Sequence, residues 1–248
     1  MKSAPFLALA VIASTASLTD AGAEVKGLTP PLDADSTAAA VSAILTVGGQ
    51  TSRLPLQVEA AGGAPPAYDK QTSVASLSKS VKLFGGVTLK ADAKRLVSTA
   101  VSAGKVGTTI LSTATSTIAS TGLVVTSPAT GTLLTITSGE IKSHAAYHVL
   151  GKRSTVLGSS SIVSLVINAA SLGVNNVTFS GTPTVNQILY QNSDQSLTVY
   201  LNAQMKTTLG DNATGLSVEA IDVHAVNLLV DGVPVSGDIA IGITSAKR

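Results

Sequence analysis

The sequence predicts an all-β protein, an antiparallel β-sandwich of about a dozen short strands, and three observations lead there. Apolar and polar residues alternate with period two in several segments. Glycine-centred turn signals recur about every ten residues. The uncharged stretches between them are built from Thr, Val, Ile, Ser and Ala rather than from strong helix formers. An irregular β-roll or elongated β layer is the alternative architecture.

The chain has 248 residues, 44% of them hydrophobic, so it can bury a core, but only 3% are aromatic and there is no Trp. That core must be made of aliphatic side chains. The formal charge is +2 with sixteen Lys and Arg scattered along the chain, which is not the clustered basic excess that nucleic acid selects. No nucleic-acid partner is expected. The absence of Cys excludes a disulfide framework, thiol catalysis and Cys-ligated metals.

MKSAPFLALAVIASTASLTDAGAEV opens with one Lys, an apolar run from Phe6 to Ala13 and then Ala21-Gly22-Ala23. That order predicts a secretory signal cut after Ala23 and a mature chain beginning at Glu24. The run is too short to span a bilayer, which needs ~20 apolar residues. The uncharged stretch from Val106 to Gly139 is interrupted by Ser, Thr, Gly and Pro128, so no transmembrane anchor is read there either. The organisation expected is a signal peptide over 1–23, an N-terminal extended segment over 24–39 and a β-rich secreted domain over 40–248. AGGAPPAYDK, 61–70, is an internal loop or linker within it.

The strands follow from the alternation. Val87, Leu89, Ala91 and Ala93 alternate with Thr88, Lys90, Asp92 and Lys94; Leu197, Val199, Leu201, Ala203 and Met205 alternate with Ser196, Thr198, Tyr200, Asn202 and Gln204. Ile239, Ile241 and Ile243 repeat the pattern. In TTILSTATSTIAST, Thr108 to Thr121, the β-branched composition outweighs the helical spacing of Ile110, Ala114 and Ile118. A strand there places these three on one face and Thr113, Thr115 and Thr117 on the other. Asp231-Gly232, between LLV and VPV, predicts a tight hairpin, because a type I′ turn needs positive φ at both central residues. No fixed-period repeat emerges, which disfavours a regular solenoid or propeller.

SAILTVGG, GGAPPAYDKQTSVASLSKSVKLFGGVTLKADA, TVLGSSSIVSLVINAASLGV and TGLSVEAIDVHAVNLLVDGVPVSGDIAIGITSA resemble, in order, segments of the choice-of-anchor P family. These are secreted bacterial proteins, mostly actinobacterial, named for the varied C-terminal surface anchors attached to a shared β-rich region. The resemblance runs from about Ala40 to Ala246. It implies secretion and β architecture, and it brings no functional residues, because the family has no established activity. Thr244 to Arg248 shows neither an LPxTG-type motif nor an apolar tail, so a released or loosely cell-surface-associated protein is expected.

The candidate chemistry is sparse. His144 and His148 in SHAAYH have the spacing of a helical metal pair, but Ala145 stands where HExxH has Glu. As a strand, Glu140, Lys142, His144, Ala146 and His148 form one polar face opposite Ile141, Ala145, Tyr147 and Val149. His224 is the remaining histidine, and sequence distance alone leaves it open as a third ligand. Asp33-Ala34-Asp35 and Gly210 to Gly215 offer oxygens for calcium, yet neither matches a twelve-residue calcium loop. Asn176-Val177-Thr178 and Asn212-Ala213-Thr214 are sequons only in a eukaryotic source.

LGSSSIV lacks the second Gly of a nucleophile elbow, and no carboxylate dyad is identifiable from spacing. The row Thr113, Thr115, Thr117 could meet ice or a crystalline polymer, but no repeat carries it to neighbouring strands. The sequence therefore points to a non-enzymatic structural or adhesive protein of the bacterial exterior, with no catalytic residue, metal or cofactor. Its expected partners are cell-wall or extracellular polysaccharide, or further copies of itself. An extracellular glycan- or calcium-binding module is the alternative, and a secreted hydrolase the remotest reading.

Overall fold

The computed structural model of the chain describes residues 34–64, 67–105, 109–150, 153–209 and 212–247. The expected signal peptide 1–23 lies outside the described residues, as does most of the segment 24–39; Ala34 to Ala39 belong to the first strand. Among the described residues no helix is long and apolar enough to cross a membrane.

The fold is all-β, two antiparallel seven-stranded sheets packed face to face. The strands are β1 Ala34–Val47, β2 Gln50–Gln57, β3 Ala60–Ala64, β4 Tyr68–Lys82, β5 Thr88–Lys105, β6 Thr109–Ser127 and β7 Gly131–Ser138. They continue with β8 Ile141–Leu150, β9 Arg153–Ala169, β10 Val174–Gly181, β11 Gln187–Gln191, β12 Leu197–Leu209, β13 Asn212–Val230 and β14 Val233–Lys247. One sheet has the order β11-β12-β13-β14-β1-β2, with β3 continuing the line of β2 beside β1. The other has the order β10-β9-β7-β6-β5-β4, with β8 continuing the line of β7 between β6 and β9. Chain neighbours are thus sheet neighbours almost throughout, an up-and-down meander that changes sheet after β3 and after β10 and is closed by pairing of β14 with β1. The first crossing falls in the predicted linker 61–70.

Several predicted elements appear where the alternation placed them. Ala114 and Ile118 are buried in β6, with Thr113, Thr115 and Thr117 on the other side. Asp231 and Gly232 take φ of 52° and 77°, the signs a type I′ turn requires. The strands run longer than the glycine spacing suggests, to 19 residues in β6 and β13, because Gly122 and Gly215 sit inside them.

Long strands twist, and each one here absorbs an irregularity near its middle. In β5 the inward residues are Leu89, Ala91 and Ala93, then Leu96, Ser98 and Ala100; in β9 they are Ser160 and Ile162, then Leu165 and Ile167. The pleat reverses at Arg95 (φ 48°) and at Ser164 (φ 52°), where a left-handed residue turns the alternation over. The facing sheet does the same at Val58 (φ 55°), Asn202 (φ 51°) and Gly242 (φ 66°), which share one transverse line with Ala40 and Ala220. A one-residue slip exchanges the faces of a strand, so the reversal must occur at the same level in all neighbours for the inner face to stay apolar.

This crease overturns two details of the sequence reading. Ile243 does not continue the buried row of Ile239 and Ile241; Thr244 is buried in its place. Met205 is exposed, while Leu197, Val199 and Leu201 are buried as expected.

The interior has two hydrophobic clusters. The larger includes Leu96, Ile118, Ile136, Ile141, Ile167, Ile221 and Ile241; the smaller is Ala145, Tyr147, Val149, Leu216, Val218 and Ala246. At the crease side of the smaller cluster, Ser98, Ser116, Ser143 and Ser160 stand directly opposite one another on β5, β6, β8 and β9, all buried. Their hydroxyl oxygens have no hydrogen-bond partner. Here the sheets approach closely: a Cβ on Gly158 would lie 2.6 Å from a Val218 methyl. Small residues set that spacing.

Candidate functional site

The residues singled out by sequence are not brought together. His144 and His148 lie on the outward face of β8, with Ile141, Ala145, Tyr147 and Val149 buried behind them. At ~3.3 Å per residue along a strand, their Cα atoms are about 13 Å apart, too far to share one ion. Partial burial lowers the pKa of His144, so it is neutral at pH 7. His224 lies on β13 in the opposite sheet and faces away from both, which removes it as their third ligand.

Asp33 and the Gly210-Asp211 pair lie outside the described residues. Asp35 is in β1, where its carbonyl accepts a hydrogen bond from the Ser112 hydroxyl at 3.2 Å. Among the described residues no group of three or more His, Asp or Glu side chains converges for a metal.

The structure instead gathers Glu219, Asp222, His224 and Asp238 on the outward face of β13 and β14. His224 and Asp238 are direct cross-strand neighbours, joined from Nδ1 to the carboxylate. Glu219 and Asp222 are three apart and would face opposite ways along a regular strand. The pleat reversal between Ala220 and Ile221, both fully buried, turns both carboxyls outward.

Burial raises the Glu219 carboxyl to about 8, with repulsion from Asp222 and Asp238 adding to it. Burial likewise raises Asp222 to about 7, repulsion from Asp238 adds, and His224 opposes. One Asp222 oxygen is buried without a partner. The hydrogen bond to Asp238 raises the pKa of His224 against the effect of its own burial. The Glu219 and Asp222 carboxyls thus hold protons near neutrality, and the bond to Asp238 favours the charged form of His224.

Tyr200 and Thr198 of β12, Ala240 of β14, and Ser42 and Ile44 of β1 continue the same rows, with Arg53 of β2 beyond Ile44. No spacing in the sequence announced this group. Its signal was the odd position of Asp222 in an otherwise regular alternation.

The other outward face, across β4 to β9, is dominated by hydroxyls. Thr99 and Thr115 are cross-strand neighbours, Thr113 and Thr117 flank Thr115, and Ser159 lies beyond His144 in the row of Thr115. Two local ion pairs lie here, Lys90 with Asp92 at 2.9 Å and Lys142 with Glu140 at 2.8 Å. The threonine row therefore extends to a neighbouring strand at one point, and then gives way to His and Ser.

The sheet edges are guarded. Lys79 of β4 falls in the inward row between Leu77 and Val81, opposite buried Ala91, and is exposed. An inward-pointing charge on an edge strand opposes pairing with another chain. Pro55 removes a donor from edge strand β2, β10 carries two register shifts, and β11 has five residues with one. The uncharged residues of β6 and β7, whose lack of Lys and Pro leaves strand pairing unopposed in the sequence, are central: each is paired on both sides.

No protein-family model and no curated protein matches this chain. Among solved structures it is similar to Ail, the attachment invasion locus protein of Yersinia pestis, at 6% identity over 87% of this chain and 96% of that one. The TM-score is 0.19, too low to carry an argument.

Proposed function

We propose that the protein is a secreted, non-enzymatic structural or adhesive component of the bacterial exterior, and that it works through its sheet faces rather than its strand edges. The observation that carries this reading is the hydroxyl-rich outward face across β4 to β9, built on a two-sheet frame whose β2, β4, β10 and β11 edges are blunted. Each Ser or Thr hydroxyl exchanges water for a polysaccharide hydroxyl with a net gain of ~1 kcal/mol at most, so binding needs many contacts at once. The N-terminal export pattern and the resemblance to choice-of-anchor P proteins support an extracellular or loosely surface-associated location. The partner is cell-wall or extracellular polysaccharide, and self-association also uses faces.

The test is a pull-down of residues 24–248 on insoluble cell-wall and exopolysaccharide material, alongside an inert polymer. Retention on the bacterial polymers that rises with polymer load supports the reading. A protein that ignores both surfaces yet binds one small sugar or metal ion stoichiometrically ends it.

A further inference from the structure

The transverse row that contains His224 holds more than its carboxylate partner. Gln191 of β11 stands opposite Thr198 of β12, Thr198 opposite His224 of β13, and His224 opposite Asp238 of β14. Thr198, His224 and Asp238 face outward, because Leu197 and Val199, Val223 and Ala225, and Ile239 beside them are buried. A primary amide, a hydroxyl, an imidazole and a carboxylate thus lie side by side in that order, each on its own strand.

The contacts run in the sense that acyl transfer needs. Asp238 holds Nδ1 of His224, which leaves the lone pair of the neutral ring on Nε2. The Gln191 amide nitrogen donates to the Thr198 hydroxyl oxygen at 3.1 Å, so that hydroxyl keeps its own proton available for a base. The Gln191 side-chain carbonyl carbon is one bond of ~1.33 Å beyond that nitrogen, and therefore within about 4.4 Å of the Thr198 oxygen. Rotation of the exposed glutamine side chain shortens this toward the ~3–3.5 Å of a reactive contact. Thr198 is only 2% exposed despite its outward orientation, which favours it over water as the nucleophile. The other Thr–Gln contact, Thr184 with Gln187 at 3.5 Å, has no such support: the row of Gln187 continues through Leu201 and Ile221 and holds no base.

We propose that Thr198 and Gln191 form an autocatalytic cross-link, an ester between the Thr198 hydroxyl oxygen and the Gln191 side-chain carbonyl, made with loss of ammonia. The Thr198 oxygen bonds to the Gln191 carbonyl carbon as its proton passes to Nε2 of His224. Collapse of the tetrahedral adduct breaks the carbon–nitrogen bond, and the imidazolium returns the proton to the departing nitrogen, which leaves as ammonia. Asp238 is a positioning residue that orients the ring. Escape of ammonia into dilute solution drives the exchange forward. The product ties β11, an edge strand of five residues with one register shift, covalently to β12. Each molecule reacts once, on itself, and the inference stands independently of the polysaccharide reading.

The experiment is intact-mass spectrometry, with peptide fragmentation, of the folded protein aged at neutral pH. The expected mass is below that of the sequence by one ammonia, with the loss located between Gln191 and Thr198 and the Thr184–Gln187 pair unmodified. Hydroxylamine should open the link and leave a hydroxamate at Gln191. Thr198→Val should abolish the loss and Thr198→Ser should keep it, while His224→Ala should slow its appearance at least ~100-fold. Should Thr198→Val fail to fold, Gln191→Met, at an exposed position, serves in its place. Full sequence mass in the aged parent, conversion of Gln191 to Glu by water, an ammonia loss located elsewhere, or a loss that persists in Thr198→Val or Gln191→Met would each overturn the proposal.

Discussion

Gly242 of β14 lies directly beside Ala220 of β13, so close that a Cβ on the glycine would be 3.1 Å from the alanine methyl and 3.1 Å from a methyl of Ile141 across the core. With φ at 66°, this residue reverses the pleat of β14 at the line where Asn202, Ala220 and Ala40 do the same for their strands. Gly242→Ala should therefore combine left-handed strain with a clash and cost about 1–3 kcal/mol. At this chain length each kcal/mol lowers the melting temperature by ~2–4 °C. Gly122→Ala, where a Cβ meets nothing within 4 Å, is the control and should be nearly neutral. Equal effects in a thermal melt would refute the crease as a steric requirement.

The outward cluster gives stability a pH dependence of definite sign. Glu219 and Asp222 have pKa values raised above those of an unfolded chain, so the folded state holds protons that the unfolded state releases. Their contribution is fully present below about pH 4 and is lost as pH rises through 7 and 8. His224, also raised, acts in the same direction at the upper end. The melting temperature should fall between pH 5 and pH 9, and Glu219→Gln with Asp222→Asn should flatten that slope and raise the value at pH 9. A double variant with an unchanged slope would place the titration elsewhere.

The serine row makes a prediction opposite to the usual effect of core substitution. Hydroxyls buried without partners cost ~1–3 kcal/mol each, so Ser116→Ala and Ser143→Ala should each stabilise the fold by about 1 kcal/mol in denaturant unfolding. A loss of that size would mean that the four hydroxyls are bonded, to one another or to water.

Lys79 is assigned a guarding role at the β4 edge. Lys79→Val should leave the fold intact and shift sedimentation toward larger species as concentration rises, whereas Lys79→Arg should behave as the parent does. Unchanged sedimentation in Lys79→Val would show that another feature protects this edge.

How far the sequence was legible depends on whether a residue sits before or after the crease. Alternation placed Leu89, Ala91, Ala93 and Ile118 inward, and turn chemistry placed Asp231-Gly232, because both signals are local. Ile243 and Met205 were misplaced because one residue in left-handed conformation changes neither composition nor apparent period, while exchanging every face beyond it. Asn202 and Gly242 are residue types that tolerate that conformation, but Arg95 and Val58 are not, so their reversals arise from neighbouring strands. The same reversal hid the Glu219, Asp222, His224 and Asp238 cluster, because a regular strand would put Glu219 on the face opposite Asp222 and His224. The guard at Lys79 was equally invisible, since a lysine in an alternating strand reads as outward until the register with Ala91 is known.

The central claim is that the broad hydroxyl face is what the protein presents to the outside. It is tested most directly by comparing retention of residues 24–248 and of a Thr99→Glu, Thr115→Glu double variant on insoluble cell-wall and exopolysaccharide material, both proteins having been shown to melt alike. The prediction is weak retention of the parent that grows with polymer load and falls severalfold in the variant, because two charges at the centre of the face must be desolvated. Equal retention of the two proteins, or no retention of either, would contradict it.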